Sequence, residues 1–91
     1  MADQATIATD ILARYAADAA REVEGVRALA GRRGVRISGK ETLRIEIHVV
    51  ADRGASIPTL GRAVQARVRE YLASMADVEP VSIDVVVDGI E

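Results

Sequence analysis

Ile57-Pro58-Thr59-Leu60-Gly61-Arg62-Ala63-Val64-Gln65-Ala66-Arg67-Val68-Arg69-Glu70-Tyr71-Leu72-Ala73-Ser74-Met75 is the one long stretch of this chain whose apolar residues keep a helical period from end to end. Ile57, Leu60, Val64, Val68, Tyr71, Leu72 and Met75 recur at steps of three and four, so a 3.6-residue helix gathers them on a stripe roughly 120° wide. Arg62, Gln65, Arg69 and Ala73 fall on the opposite side. A stripe of that size is driven out of water, and the fold must lay something flat and apolar beneath it.

The flanking segments supply that surface. Upstream, Leu43, Ile45, Ile47 and Val49 alternate with Arg44, Glu46, His48 and Val50, which predicts a strand over 43–51. Downstream, Val81, Ile83, Val85 and Val87 alternate with Ser82, Asp84, Val86 and Asp88, which predicts another over 81–88. Asp52 to Ala55 breaks the first strand, and Ser56 with Pro58 opens the helix. Val35-Arg36-Ile37 alternates as a short strand, and Ser38-Gly39-Lys40-Glu41 has the turn chemistry to fold it back as a hairpin.

Earlier still, Ile11, Leu12, Tyr15, Ala19 and Val23 form the inward stripe of a helix expected over 10–24, with Thr9 as its N-cap and Gly25 ending it. Val26 to Ala30 is too short and too alanine-rich to assign. The expected order is therefore αββαβ. A strand, a crossover helix and a second strand favour a right-handed parallel unit, giving an α+β domain with a three-stranded mixed sheet and both helices on one face. Val64, Val68, Ile45, Ile47, Ile83 and Val85 should be its most buried residues.

With 91 residues the chain makes one domain, residues 1–91, of which 1–6 are expected to be disordered. It has no Trp or Phe and only two Tyr, so the core is aliphatic and base stacking on aromatic rings is almost excluded. The formal charge of −2 argues against a general nucleic-acid coat. Having no cysteine removes disulfides and thiolate chemistry. The N-terminus lacks the pattern of a signal peptide, and no stretch is long and apolar enough to span a membrane, so a cytoplasmic protein is expected.

Three ordered stretches resemble the alkaline shock protein family of bacterial envelope stress response proteins. They are the alanine-rich helix from Tyr15 ending in Glu22-Val23-Glu24-Gly25-Val26, the run from Ile45 through Ser56-Ile57-Pro58, and the closing Asp84 to Ile90. The resemblance spans about residues 7 to 90. It implies a non-enzymatic stress-response adaptor or scaffold without cofactor, in some members recruited to the inner face of the cell membrane by a membrane-anchored relative. A protein partner follows from that reading, the membrane-anchored relative being one candidate; a homo-oligomer is left open, and nucleic acid is not the expected partner.

Glu22 falls within the apolar arc of the first helix, near its negative end, and calls for a cation. Arg67, flanking the stripe of the long helix, is the expected partner in a structural ion pair, with Arg44 as the second choice. His48 is the sole histidine. It shares the polar face of its strand with Glu46, with Asp84 and Asp88 as possible neighbours across the sheet, but without ligand spacing no metal site is expected. Val50 and Val86 would make a modest apolar patch on the same face.

Charge is unevenly distributed. Residues 25–40 hold Arg27, Arg32, Arg33, Arg36 and Lys40 without an acid, whereas residues 77–91 hold Asp77, Glu79, Asp84, Asp88 and Glu91 without a base. The basic block is the expected interaction surface. Gly31-Arg32-Arg33-Gly34 also matches the backbone-clamping loop of KH domains, which makes a small nucleic-acid-binding module the alternative function. No nucleophile with a neighbouring base stands out, and catalytic and cofactor-binding residues are not expected.

Overall fold

The computed structural model describes residues 2–31, 34–39 and 41–91, with the side chains of its first helix from residue 9 onward. The elements run α1 (Ala2–Arg21), β1 (Val26–Leu29), β2 (Val35–Ser38), β3 (Arg44–Ala51), α2 (Ile57–Ala76) and β4 (Ser82–Ile90). The fold is α+β, with a mixed sheet whose inner face is covered by both helices. Arg32, Arg33 and Lys40 lie outside the described residues.

The central strand is β3, paired with all three others. β4 runs parallel to it from Arg44↔Ser82 to Ala51↔Ile90, with a register shift between Val49 and Val50. β1 and β2 are both antiparallel to it, β1 opposite Val49 to Ala51 and β2 opposite Arg44 to Ile47. Because β4 spans all of these β3 residues, β1 and β2 must share the other edge, end to end. The Ala30 N–H donates to the His48 carbonyl at 2.8 Å, and the His48 N–H donates to the Gly34 carbonyl at 2.7 Å. Both ends of the segment between Ala30 and Gly34 are thus tied to one residue, and the four strands fill three positions across the sheet.

The strand β1 is the addition to the expected topology. Its four residues show no alternation, and its register with β3 shifts between Val26 and Ala28. Strand geometry there comes from the free edge of β3, not from local preference.

The core follows the alternation of β3. Ile45, Ile47, Val49 and Ala51 point inward and are at most 1% exposed. Leu60, Val64, Val68 and Leu72 of α2 cover them, each at 3% or less, together with Leu12, Ala16, Ala19 and Ala20 of α1. Side chains as large as Leu72 or Val68 each contribute roughly 1.5–3 kcal/mol on full burial. The small face of α1 lets it lie close to α2, and Tyr15 meets Tyr71 edge to face with ring centroids 5.8 Å apart. Five of the six residues expected to be most buried are 3% exposed or less; Val85, on an edge strand with neighbours on one side only, is half-buried.

Several boundaries differ from expectation. Helix α1 begins at Ala2, so Thr9 lies inside it instead of capping it, and most of the 1–6 lead expected to be disordered is helical. Nothing in Ala2 to Ala8 breaks a helix, and its alanines and glutamine favour one. The helix ends at Arg21, where Glu22 and Val23 turn back to the carbonyls of Ala19 and Ala20 with three-residue spacing, and Gly25 follows at φ 99°. Ile11 is 40% exposed because α1 presents Leu12 and its alanines to the sheet, which rotates Ile11 outward. Met75 is 50% exposed in the last turn of α2, which Asp77 closes in a left-handed conformation at φ 56°.

Candidate interaction surface

With the helices on one face, the other face of the sheet carries the even-numbered side chains of β3. The pairings set them in rows across the strands. Ser38, Arg44 and Ser82 form one row, and Arg36, Glu46 and Asp84 the next. His48 and Val86 share a third, and Ala28 and Val50 lie beyond them. Arg36, Asp84, Val86 and Asp88 are exposed, while Glu46, His48 and Val50 are half-buried among them.

At the centre of this face the imidazole of His48 lies between two carboxylates. Its Nε2 is 2.5 Å from Glu46 Oε2, and its Nδ1 is 3.0 Å from Asp88 Oδ2. Ionised carboxylates only accept hydrogen bonds, so both contacts are satisfied together only when the ring carries a proton on each nitrogen. The pKa of His48 is accordingly raised, first by its hydrogen bond to Glu46 and then by that to Asp88. That of Glu46 is lowered, chiefly by the hydrogen bond from His48. Asp88 reaches the ring because β4 has its extra residue there, between the pairs Val49↔Val87 and Val50↔Gly89. Asp84 lies opposite Glu46 instead. The two carboxylates approach opposite sides of the ring and do not converge on a common point. Among the described residues, no group of three or more His, Asp or Glu side chains is arranged to hold a metal ion.

The basic residues do not form one described patch. Arg36 faces Glu46 on the open face, whereas Arg27 in β1 pairs with Asp52 at 3.5 Å, near the other end of β3. Four to five strand residues separate them, about 15 Å. Around the excursion that links β1 to β2, a shallow cleft opens at the sheet edge between α1 and the open face. Asp10, Ala13, Ala30, Gly34, Arg36 and His48 contribute to its walls. Gly31 and Gly34 have φ of 71° and 73°, the left-handed conformation that lets the chain leave and rejoin the ladder in so few residues.

Across the helices, Arg67 donates from Nη2 to Glu22 Oε1 at 2.5 Å and from Nη1 to Glu70 Oε1 at 3.2 Å. The side chains of Arg67 and Glu22 are 43% and 52% exposed, so this is a wet contact bridging α2 to the turn after α1. Arg44 lies on the open face of the sheet, away from Glu22. The carboxylate–imidazole–carboxylate group is what sequence reasoning did not assemble. Glu46 and His48 announce themselves by i, i+2 spacing, but the choice of Asp88 over Asp84 depends on the bulge.

Comparison with known proteins bears on fold and family. The chain superposes on solved structures of the MamM CTD. One variant matches with a TM-score of 0.62 at 14% identity, over 90% of this chain and 95% of the other. A manganese form of a second variant gives 0.59 at 15%, over 88% and 96%. A cadmium form of a third gives 0.62 at 16%, over 90% and 96%. At such identities the likeness is one of fold. No curated protein sequence matches the chain. The sequence pattern of the alkaline shock protein family, described as having a cell envelope-related function, matches residues 31–91. With about two thirds of its length matched, including β2, β3, α2 and β4, this chain belongs to the alkaline shock protein family.

Proposed function

We propose that the protein is a non-enzymatic adaptor or scaffold in the response to cell-envelope stress, acting through contacts with other proteins. The observation that carries this reading is the asymmetry of the sheet. Two helices close one face, while the other presents ordered rows of charged side chains with Val50 and Val86 among them. Charge spread over an open face is suited to partner choice and encounter more than to raw affinity. Membership of a family with a cell envelope-related function supports an envelope setting. Among the described residues no helix is long and apolar enough to cross a membrane. Recruitment from the cytoplasm to the inner face of the cell membrane by a membrane-anchored relative fits both observations, as does assembly into a homo-oligomer.

The basic residues Arg27, Arg32, Arg33, Arg36 and Lys40 are the proposed contact residues, and the Glu22–Arg67 pair is proposed to serve a structural role. The test is the double variant Arg32→Glu with Arg33→Glu, compared with the wild type for capture of envelope proteins from membrane and soluble fractions of the host. Unchanged melting with lost capture at low salt supports the reading; unchanged capture refutes it. A nucleic-acid-binding module remains the second reading because the Gly31–Gly34 loop carries two arginines. In this chain that loop joins two strands, whereas in KH domains it joins two helices. RNA binding that weakens steeply with salt would favour it.

A further inference from the structure

Both edges of the sheet end in strands that pair only with β3, yet they differ in how they are protected. The β1–β2 edge is interrupted in its middle by the excursion between Ala30 and Gly34, the kind of irregularity that blunts an edge. The β4 edge is nine residues long and keeps an unbroken register from Ser82 to Val87, ahead of its one bulge at Asp88. His48 directs its N–H and C=O toward β1–β2, so the odd residues of β3 direct theirs toward β4. In the parallel register the even residues of β4 answer them, and the amides of Ile83, Val85 and Val87 therefore point outward. Consistently, the Ile83 carbonyl accepts a hydrogen bond from Gln65 Nε2 at 2.8 Å. Arg69 covers the preceding turn through the Pro80 carbonyl at 3.0 Å. Val85 and Val87 have no such cover among the described residues.

The side chains along this edge define what could lie against it. Val86 is 37% and Ile90 53% exposed, and Asp84 and Asp88 flank Val86 on the open face. No base occurs from residue 77 to residue 91. A second β4 in antiparallel alignment centred on Val86 would set Asp84 directly opposite Asp88 on the same face, which is repulsive. The β1–β2 edge of another copy is broken at the row of His48. A segment of a different protein with basic side chains at alternate positions meets neither obstacle.

We propose that the outer edge of β4 is a docking site for an extended, basic segment of a partner protein, which adds a strand beside Val85 and Val87 and sets its basic side chains against Asp84 and Asp88. The inference rests on the adaptor reading and gives the adaptor a second surface, opposite in charge to the basic block. Main-chain hydrogen bonds supply the affinity and the alternate side chains the selectivity, as in other strand additions.

The test uses the full chain and a short capped synthetic peptide alternating lysine with valine, followed by fluorescence anisotropy. Three relatives of the peptide serve as controls, two N-methylated along one or the other edge and one with glutamate in place of lysine. Strand addition predicts that the lysine peptide binds and that Asp84→Lys weakens it by about tenfold or more. Methylation along one edge should weaken binding by about tenfold or more, and methylation along the other should leave it unchanged. Equal binding of both methylated forms would reduce the interaction to charge attraction and overturn the proposal. So would no binding of the lysine peptide at low salt, which would leave Asp84 and Asp88 as charges that merely keep the edge single. Self-association of the wild type that Asp84→Lys abolishes would assign the edge to a second copy and also overturn it. If envelope-protein capture survives Asp84→Lys but not the Arg32 and Arg33 reversal, the adaptor stands and this site falls. If the peptide binds as predicted while capture fails altogether, the site stands and the adaptor reading falls.

Discussion

Gly39 and Gly54 share a backbone φ of 93° and differ in what a side chain would meet, which makes them a matched pair for dissecting strain. At Gly54, a Cβ would find nothing within 4 Å. At Gly39, in the turn between β2 and β3, it would lie 1.9 Å from the backbone oxygen of Thr42, against a shortest tolerable approach of 3.0 Å. The carbonyl would have to retreat by at least the difference, 3.0 − 1.9 = 1.1 Å. It cannot do so alone, because the adjoining Leu43 carbonyl accepts from the Val81 N–H at 2.8 Å and anchors the start of β4. Holding alanine at this φ costs about 1–2 kcal/mol at either site. Gly54→Ala should therefore lose about that much and no more. Gly39→Ala should lose about 3 kcal/mol or more, because the displaced hairpin forfeits hydrogen bonds as well. For a domain of this size each kcal/mol lowers the melting temperature by about 4–8 °C, so thermal and urea melts separate the two variants easily. Equal losses at the two sites would refute the argument that the Thr42 backbone is held in place.

Three further outcomes are expected. The pKa of His48 is raised above its ordinary value of 6.5, so its contribution to stability is complete below that value and is lost as pH rises through the folded-state pKa. Glu46, lowered from 4.5, contributes above its ordinary value and loses that contribution as pH falls through its folded-state pKa. Melting temperature should decline on the alkaline side of the His48 transition, and His48→Asn should flatten that limb; an unchanged limb would refute the assignment. Leu72→Ala, at a fully buried site, should cost about 2–5 kcal/mol, whereas Met75→Ala one turn on should change the urea midpoint little. Because the Glu22–Arg67 contact is half-exposed, Glu22→Gln should give only a small loss that shrinks further with added salt, measured by melts at two ionic strengths.

How much of this was legible in the sequence depended on whether an element announces itself locally. β3, α2 and β4 do, because an eight-residue alternation or a twenty-residue periodic stripe allows a single inward face. β1 does not: Val26-Arg27-Ala28-Leu29 becomes a strand because Val49 to Ala51 offers it an edge, and no window of its own residues contains that information. The true face of α1 was obscured by alanine, which is equally at home inside or outside, so Ile11 drew the predicted stripe toward itself. The Glu46–His48–Asp88 group was half visible. Spacing placed Glu46 beside His48, but a parallel register with a bulge brings Asp88 to the ring, and register is a property of two strands together.

The attachment of Ala30 and Gly34 to the same residue has a practical consequence. Chain inserted between them asks nothing new of the sheet, since every ladder bond on either side is already made without it. Lengthening such a loop costs only about 0.6 kcal/mol per doubling. The site is therefore a graft point, where a reporter epitope or foreign recognition loop can be displayed at the sheet edge without resetting the register of Val35 against Ile47.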